Sequence, residues 1–151
     1  HSLYGHVTLV TGASRGIGKG IARSLGAAGA TVYLTGRTEH PDSATVPLPG
    51  TIHATADLVT QEGGLGIAMR AITVMTNKYV PCSLVNNAWE GYQAKQRSKK
   101  SGFHTPFWKL PPSFWDTMFT VGVRSHYVAS SYAAAIMVQQ QRGLIVHLSA
   151  T

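Results

Sequence analysis

The chain has 151 residues, enough to bury one core, and an apolar share of 44% against 13% charged excludes a disordered polypeptide. No apolar run approaches the roughly 20 residues of a membrane span, no basic stretch precedes the apolar start as in a secretory leader, and the single cysteine, Cys82, closes no intrachain disulfide, which fits a reducing compartment such as the cytoplasm. The net charge of +7, from 13 Lys and Arg against 6 Asp and Glu, can attract nucleic acid or a phosphorylated ligand, but the dense group Lys95, Arg97, Lys99 and Lys100 lies in a polar stretch with no nucleic-acid motif and reads as a solvated loop.

Val7, Leu9 and Val10 predict a buried strand. Ile17, Ile21 and Leu25, spaced by four with Ala22 and Ala28 beside them, predict the apolar face of a helix that follows. Between the two, Thr11-Gly12-Ala13-Ser14-Arg15-Gly16-Ile17-Gly18 sets three glycines at a strand-to-helix corner. A phosphate-binding corner needs residues without a Cβ, so that the backbone turns tightly, approaches the pyrophosphate and lets the helix pack close. The anion then meets backbone N–H groups that lack an intrahelical partner at the positive end of the helix. In this context the glycines point to dinucleotide binding rather than to a plain turn.

Gly29 supplies a helix stop, and residues 31–35 read as a second buried strand. A right-handed crossover then makes the two strands parallel, with the corner at their carboxyl ends. Gly36-Arg37 follows, where a Rossmann protein reads the adenosine ribose. An Asp or Glu there would favour NAD; none is present, and Arg37 offers a fork of donors suited to phosphate, with Arg15 on the other side. The pair predicts NADP, with NAD the less favoured cofactor.

Residues 38–50, with Pro41, Pro47 and Pro49, read as a loop, 51–62 as a helix and 65–69 as a third strand. The connection 70–82 barely holds a crossover helix. Residues 83–85 are a fourth strand, closed by Asn86-Asn87-Ala88, whose amides either tie strands together or touch a cofactor. The polar stretch 90–112, with Tyr92, Phe103, Phe107 and Trp108, is an active-site flap or a surface insertion. Ser113 and Asp116 signal a capped helix running through 113–141. Trp115, Phe119, Val123 and Tyr127 share a face that reads as core, or as an interface between copies of the chain. Residues 144–148 read as a fifth buried strand. No metal site is expected.

The Thr11-Gly12-x-x-x-Gly16-x-Gly18 corner, Asn86-Asn87-Ala88 and Gly143-Leu144-Ile145-Val146-x-Leu148-Ser149, in this order, resemble the short-chain dehydrogenase/reductase family. The resemblance implies an α/β fold, a Rossmann-like three-layer α/β/α arrangement on a parallel sheet that is incomplete at its C-terminus. It also implies NAD(P)-dependent hydride transfer between nicotinamide and a small carbonyl or alcohol substrate. By it, Gly12, Ser14, Arg15, Gly16, Ile17 and Gly18 cradle the pyrophosphate, Asn86, Asn87 and Ala88 line the cofactor groove, and Ser149 orients the substrate carbonyl. An ungapped alignment would instead set Ala150 at the serine position. The family carries a Tyr-x-x-x-Lys pair beyond the serine, and these 151 residues contain none. Many members have an asparagine where Gly122 stands, and Trp89 replaces the glycine after the two asparagines. Two readings stay open: the cofactor-binding part of an NADP-dependent oxidoreductase whose proton donor lies outside this chain, or a catalytically inactive nucleotide-binding module.

Overall fold

A computed structural model describes residues 2–40, 48–69, 81–91 and 105–149. In chain order they form β1 Val7–Thr11, α1 Gly16–Ala27, β2 Thr31–Thr35, α2 Ile52–Gln61, β3 Leu65–Met69 and β4 Ser83–Asn86. A 3₁₀ turn Phe107–Lys109, α3 Pro112–Phe119, a π-helical segment Thr120–Arg124, α4 Ser125–Gln139 and β5 Leu144–His147 follow. The basic group at 95–100, most of the 70–82 connection, Tyr92, Phe103 and Ala150 lie outside the described residues.

All five strands are parallel, in the order β3-β2-β1-β4-β5. The chain therefore reverses its direction of growth at β1 and β4, and the β1 carboxyl end faces the gap where it does so. A parallel sheet needs cover on both faces, and alternate side chains serve each. Val10, Leu34 and Val85 pack with Ala22 of α1 and with Ala56 and Val59 of α2. Leu9, Tyr33 and Leu84 pack on the other face with Ala129, Ala133 and Met137 of α4. The result is the expected three-layer, Rossmann-like arrangement.

Local signals explain most boundaries. Thr51 caps α2 by accepting from the Ala54 N–H at 3.0 Å. Gly29, at φ +93°, takes the left-handed position after α1. The start of α3 corrects the expected cap: Pro112 is its first residue, no side chain caps it, and Ser113 lies within the first turn. Proline wins that position because its fixed φ already suits a helix and its missing N–H has no partner to lose there.

Three burial expectations are also corrected. In α1 the buried row is Gly18, Ala22 and Gly26, whereas Ile17 is 67% exposed. The small residues face inward because the helix lies so close that a Cβ on Gly26 would come 2.7 Å from a Val59 methyl. In the long helix, Trp115 and Tyr127 are 68% and 74% exposed, and the buried row is His126, Ala129, Ala133 and Met137. The π segment inserts a wider turn between α3 and α4, so one helical period cannot be carried through both. Finally, β5 forms in place, and among the described residues it is the last strand of the sheet, with Leu144 and Val146 exposed.

Candidate cofactor-binding site

Asn87 fixes the corner between β1 and α1. Its Nδ2 donates to the carbonyl oxygens of Thr11 at 2.9 Å and Gly12 at 3.1 Å. Thr11 Oγ1 in turn accepts from the backbone N–H groups of Asn87 at 3.0 Å and Ala88 at 3.1 Å. The Ala13 N–H donates to Thr35 O at 3.0 Å. The ends of β1, β2 and β4 are thereby stitched together, and the polar groups of a crowded turn find partners.

Two of the glycines are required by this stitching. A Cβ on Gly12, at φ +68°, would lie 2.9 Å from Ala88 Cα, and one on Gly18 would overlap the Asn87 amide. Gly16 differs: its φ of +57° calls for glycine, yet a Cβ there would meet no atom of the described residues within 4 Å. Among the described residues, open space therefore lies over the start of α1. That helix start has no side-chain cap and no acid in its first turn, so its N–H groups and the positive end of the helix dipole are left to an anion. These features fit the pyrophosphate of a dinucleotide.

Ser14 is buried beneath the turns that hold Gly36 and Gly50. Arg15 reaches over them, its Nη2 donating to Thr38 Oγ1 at 3.0 Å and Gly50 O at 3.1 Å. Burial, and after it the charge of Arg37, hold the Arg15 pKa below the ordinary arginine value, so two like charges share one side of the corner. Arg37 is not left to solvent: its Nη1 donates to Glu90 Oε1 at 2.8 Å. Glu90 is the residue that sequence reasoning missed. It stands 53 positions from Arg37, and the one hint was an acid close behind the Asn86-Asn87-Ala88 strand end.

The other side of the strand ends is held by groups that periodicity did not single out. Asn86, fully buried, turns its Nδ2 to Ser130 Oγ of α4 at 2.9 Å, away from the glycine corner. Its Oδ1 accepts from no donor among the described residues. His126 Nε2 donates to Ala88 O at 2.9 Å, with the His147 ring 5.8 Å away. Burial lowers the His126 pKa; the bond to Ala88 opposes this and the charge of His147 adds to it. The Trp89 indole lies against Gly122, whose Cβ, if present, would sit 3.4 Å from the ring. Ser149 is exposed and follows Leu148, whose N–H donates to Asn86 O at 2.9 Å. It therefore stands at the carboxyl ends of β4 and β5. Among the described residues no group of three or more His, Cys, Asp and Glu can hold a metal ion, and no helix is long and apolar enough to cross a membrane.

Known proteins share this architecture. The chain is 39% identical to dehydrogenase/reductase SDR family member 1 of Mus musculus over 158 residues, covering 96% of this chain and 46% of that protein. It therefore spans about half the length of that curated relative. Among solved structures, a metagenomic short-chain oxidoreductase in complex with NADP matches with a TM-score of 0.73 at 27% identity, over 100% of this chain and 65% of that one. A 7α-hydroxysteroid dehydrogenase complexed with NADH and 7-oxo glycochenodeoxycholic acid matches with a TM-score of 0.71 at 25% identity, over 98% and 54%. A family model described as short chain dehydrogenase matches residues 6–151. The chain belongs to the short-chain dehydrogenase/reductase family.

Proposed function

We propose that this chain carries the cofactor-binding portion of an NADP(H)-dependent oxidoreductase that transfers a hydride between nicotinamide and a small carbonyl or alcohol. The observation that carries the reading is the corner itself: open space over Gly16, an uncapped helix start, and two arginines on the adenosine side. The backbone of residues 12–18 holds the pyrophosphate through the N–H groups of the first helical turn. Arg15 and Arg37 face the 2′-phosphate of NADP, where planar, charge-assisted donors are strongest. Asn87 keeps the corner in shape, the backbone of Ala88 borders the groove, and exposed Ile17 offers an apolar wall at its rim.

A bound nicotinamide supplies the hydride for carbonyl reduction and accepts it in alcohol oxidation. Ser149 donates a hydrogen bond to the substrate oxygen as charge develops on it. No tyrosine among these 151 residues has a lysine four residues on, so the chain holds no Tyr-x-x-x-Lys pair to act as proton donor. The reading therefore assigns these residues to binding and orientation. The test is Arg37→Ala, with dissociation constants measured for both cofactors. NADPH binding is expected to weaken about tenfold, the loss of one charge-assisted contact, with NADH changing less than about twofold. Equal loss for both cofactors would contradict the assignment of Arg37 to the 2′-phosphate.

A further inference from the structure

The Arg37–Glu90 contact has a chemical consequence for that same site. Arg37 reaches Glu90 from the end of β2, while Glu90 comes from the segment after β4, across the carboxyl edge of β1. The side chains differ in exposure: 51% for Arg37 and 9% for Glu90. The acid is thus fixed within the protein and the guanidinium faces outward, where a ligand would meet it. At that position the charges of Arg15 and Arg37 act on one another, and the Glu90 carboxylate is bound to Arg37.

We propose that Glu90 sets the strength of the cofactor preference, its carboxylate competing with the 2′-phosphate of NADP(H) for the Arg37 guanidinium. This rests on the NADP-binding reading above. The carboxylate neutralises part of the charge that would draw a dianionic phosphate, and it repels that phosphate over any separation shorter than the screening length. An opposing effect exists, because the ion pair also orients Arg37. Orientation of one half-exposed side chain is the smaller of the two, since surface ion pairs contribute little while a buried carboxylate facing a dianion is screened weakly. NADH carries no 2′-phosphate and does not contend with Glu90 for the guanidinium. Glu90 therefore narrows the gap between the two cofactors that Arg15 and Arg37 open.

Glu90→Gln tests this with least disturbance, because the amide oxygen still accepts from Arg37 while the charge is gone. Dissociation constants for NADPH and NADH are measured with the full chain, for wild type, Glu90→Gln, Glu90→Ala, Arg37→Ala and Arg37→Ala/Glu90→Gln, with thermal melts as the check on folding. The expected result is a shift of the NADH-to-NADPH ratio of dissociation constants toward NADPH by at least about fivefold in both Glu90 variants. On the Arg37→Ala background the same substitution shifts it by a smaller factor, because only the direct repulsion between Glu90 and the phosphate then remains. If wild type binds NADPH but Glu90→Gln leaves the ratio unchanged or moves it toward NADH, the acid only positions Arg37 and the proposal is overturned while the cofactor reading stands. If no variant binds NADPH, both fail together.

Discussion

Gly18 and Gly16 lie in one corner but answer to different constraints, and substituting them separates fold from ligand. At Gly18 an added methyl runs into the Asn87 amide and the Gly12 carbonyl, so Gly18→Ala is expected to destabilise by about 2–3 kcal/mol, as overpacking against backbone does. At Gly16 the space is open and only the positive φ is penalised. Gly16→Ala is expected to lose about 1–2 kcal/mol while setting a methyl where the pyrophosphate would lie. Urea unfolding beside an NADPH titration reads both, and a Gly16→Ala chain that binds NADPH as wild type does would place the anion elsewhere. His126 offers a second residue-scale test. Its folded pKa is lowered while the unfolded chain titrates near 6.5, so below about that pH the unfolded state takes up protons first. Stability is thus complete above the unfolded value and is lost as pH falls through the folded one. Between about pH 7 and 5, His126→Gln is expected to flatten the fall in unfolding free energy; an unchanged slope would show that other groups carry it.

At the scale of elements, small residues decided what the larger ones obscured. The order of strands and helices was legible from hydrophobic period and from turn residues such as Gly29 and the Pro111-Pro112 pair. The buried faces were not, because pattern reading gives weight to Ile17, Trp115 and Tyr127, while close packing on the sheet selected Gly18, Ala22, Gly26, Ala129 and Ala133. The π segment at 120–124 leaves no separate signature in hydrophobic period. Substitution measures the difference: Met137→Ala is expected to remove about 2–4 kcal/mol from a core position, and Trp115→Ala less than about 1 kcal/mol from an exposed one. The end of α4 adds another test. Gln141 sits at φ +52° in the left-handed position that usually holds glycine. Gln141→Gly is therefore expected to stabilise by about 0.5–1 kcal/mol in the same urea titration, and a loss of stability would contradict the strain.

For the whole molecule, topology brings together what the sequence keeps apart. The glycine corner was legible because a strand, a turn and a helix start are contiguous from Val7 to Leu25. Its clamp by Asn87 and the ion pair of Arg37 with Glu90 were not, since they depend on β4 lying beside β1 on the side opposite β2. No acid stands at Gly36-Arg37 itself, and the sheet order brings Glu90 to Arg37 from 53 positions away. The central proposal for the molecule is that this corner holds NADP(H). Titration of the chain with NADPH, followed by nicotinamide fluorescence with NADH in parallel, tests it most directly. Saturable binding of NADPH, tighter than that of NADH, is the predicted result; no binding of either nucleotide, or NADH bound as tightly as NADPH, would contradict it.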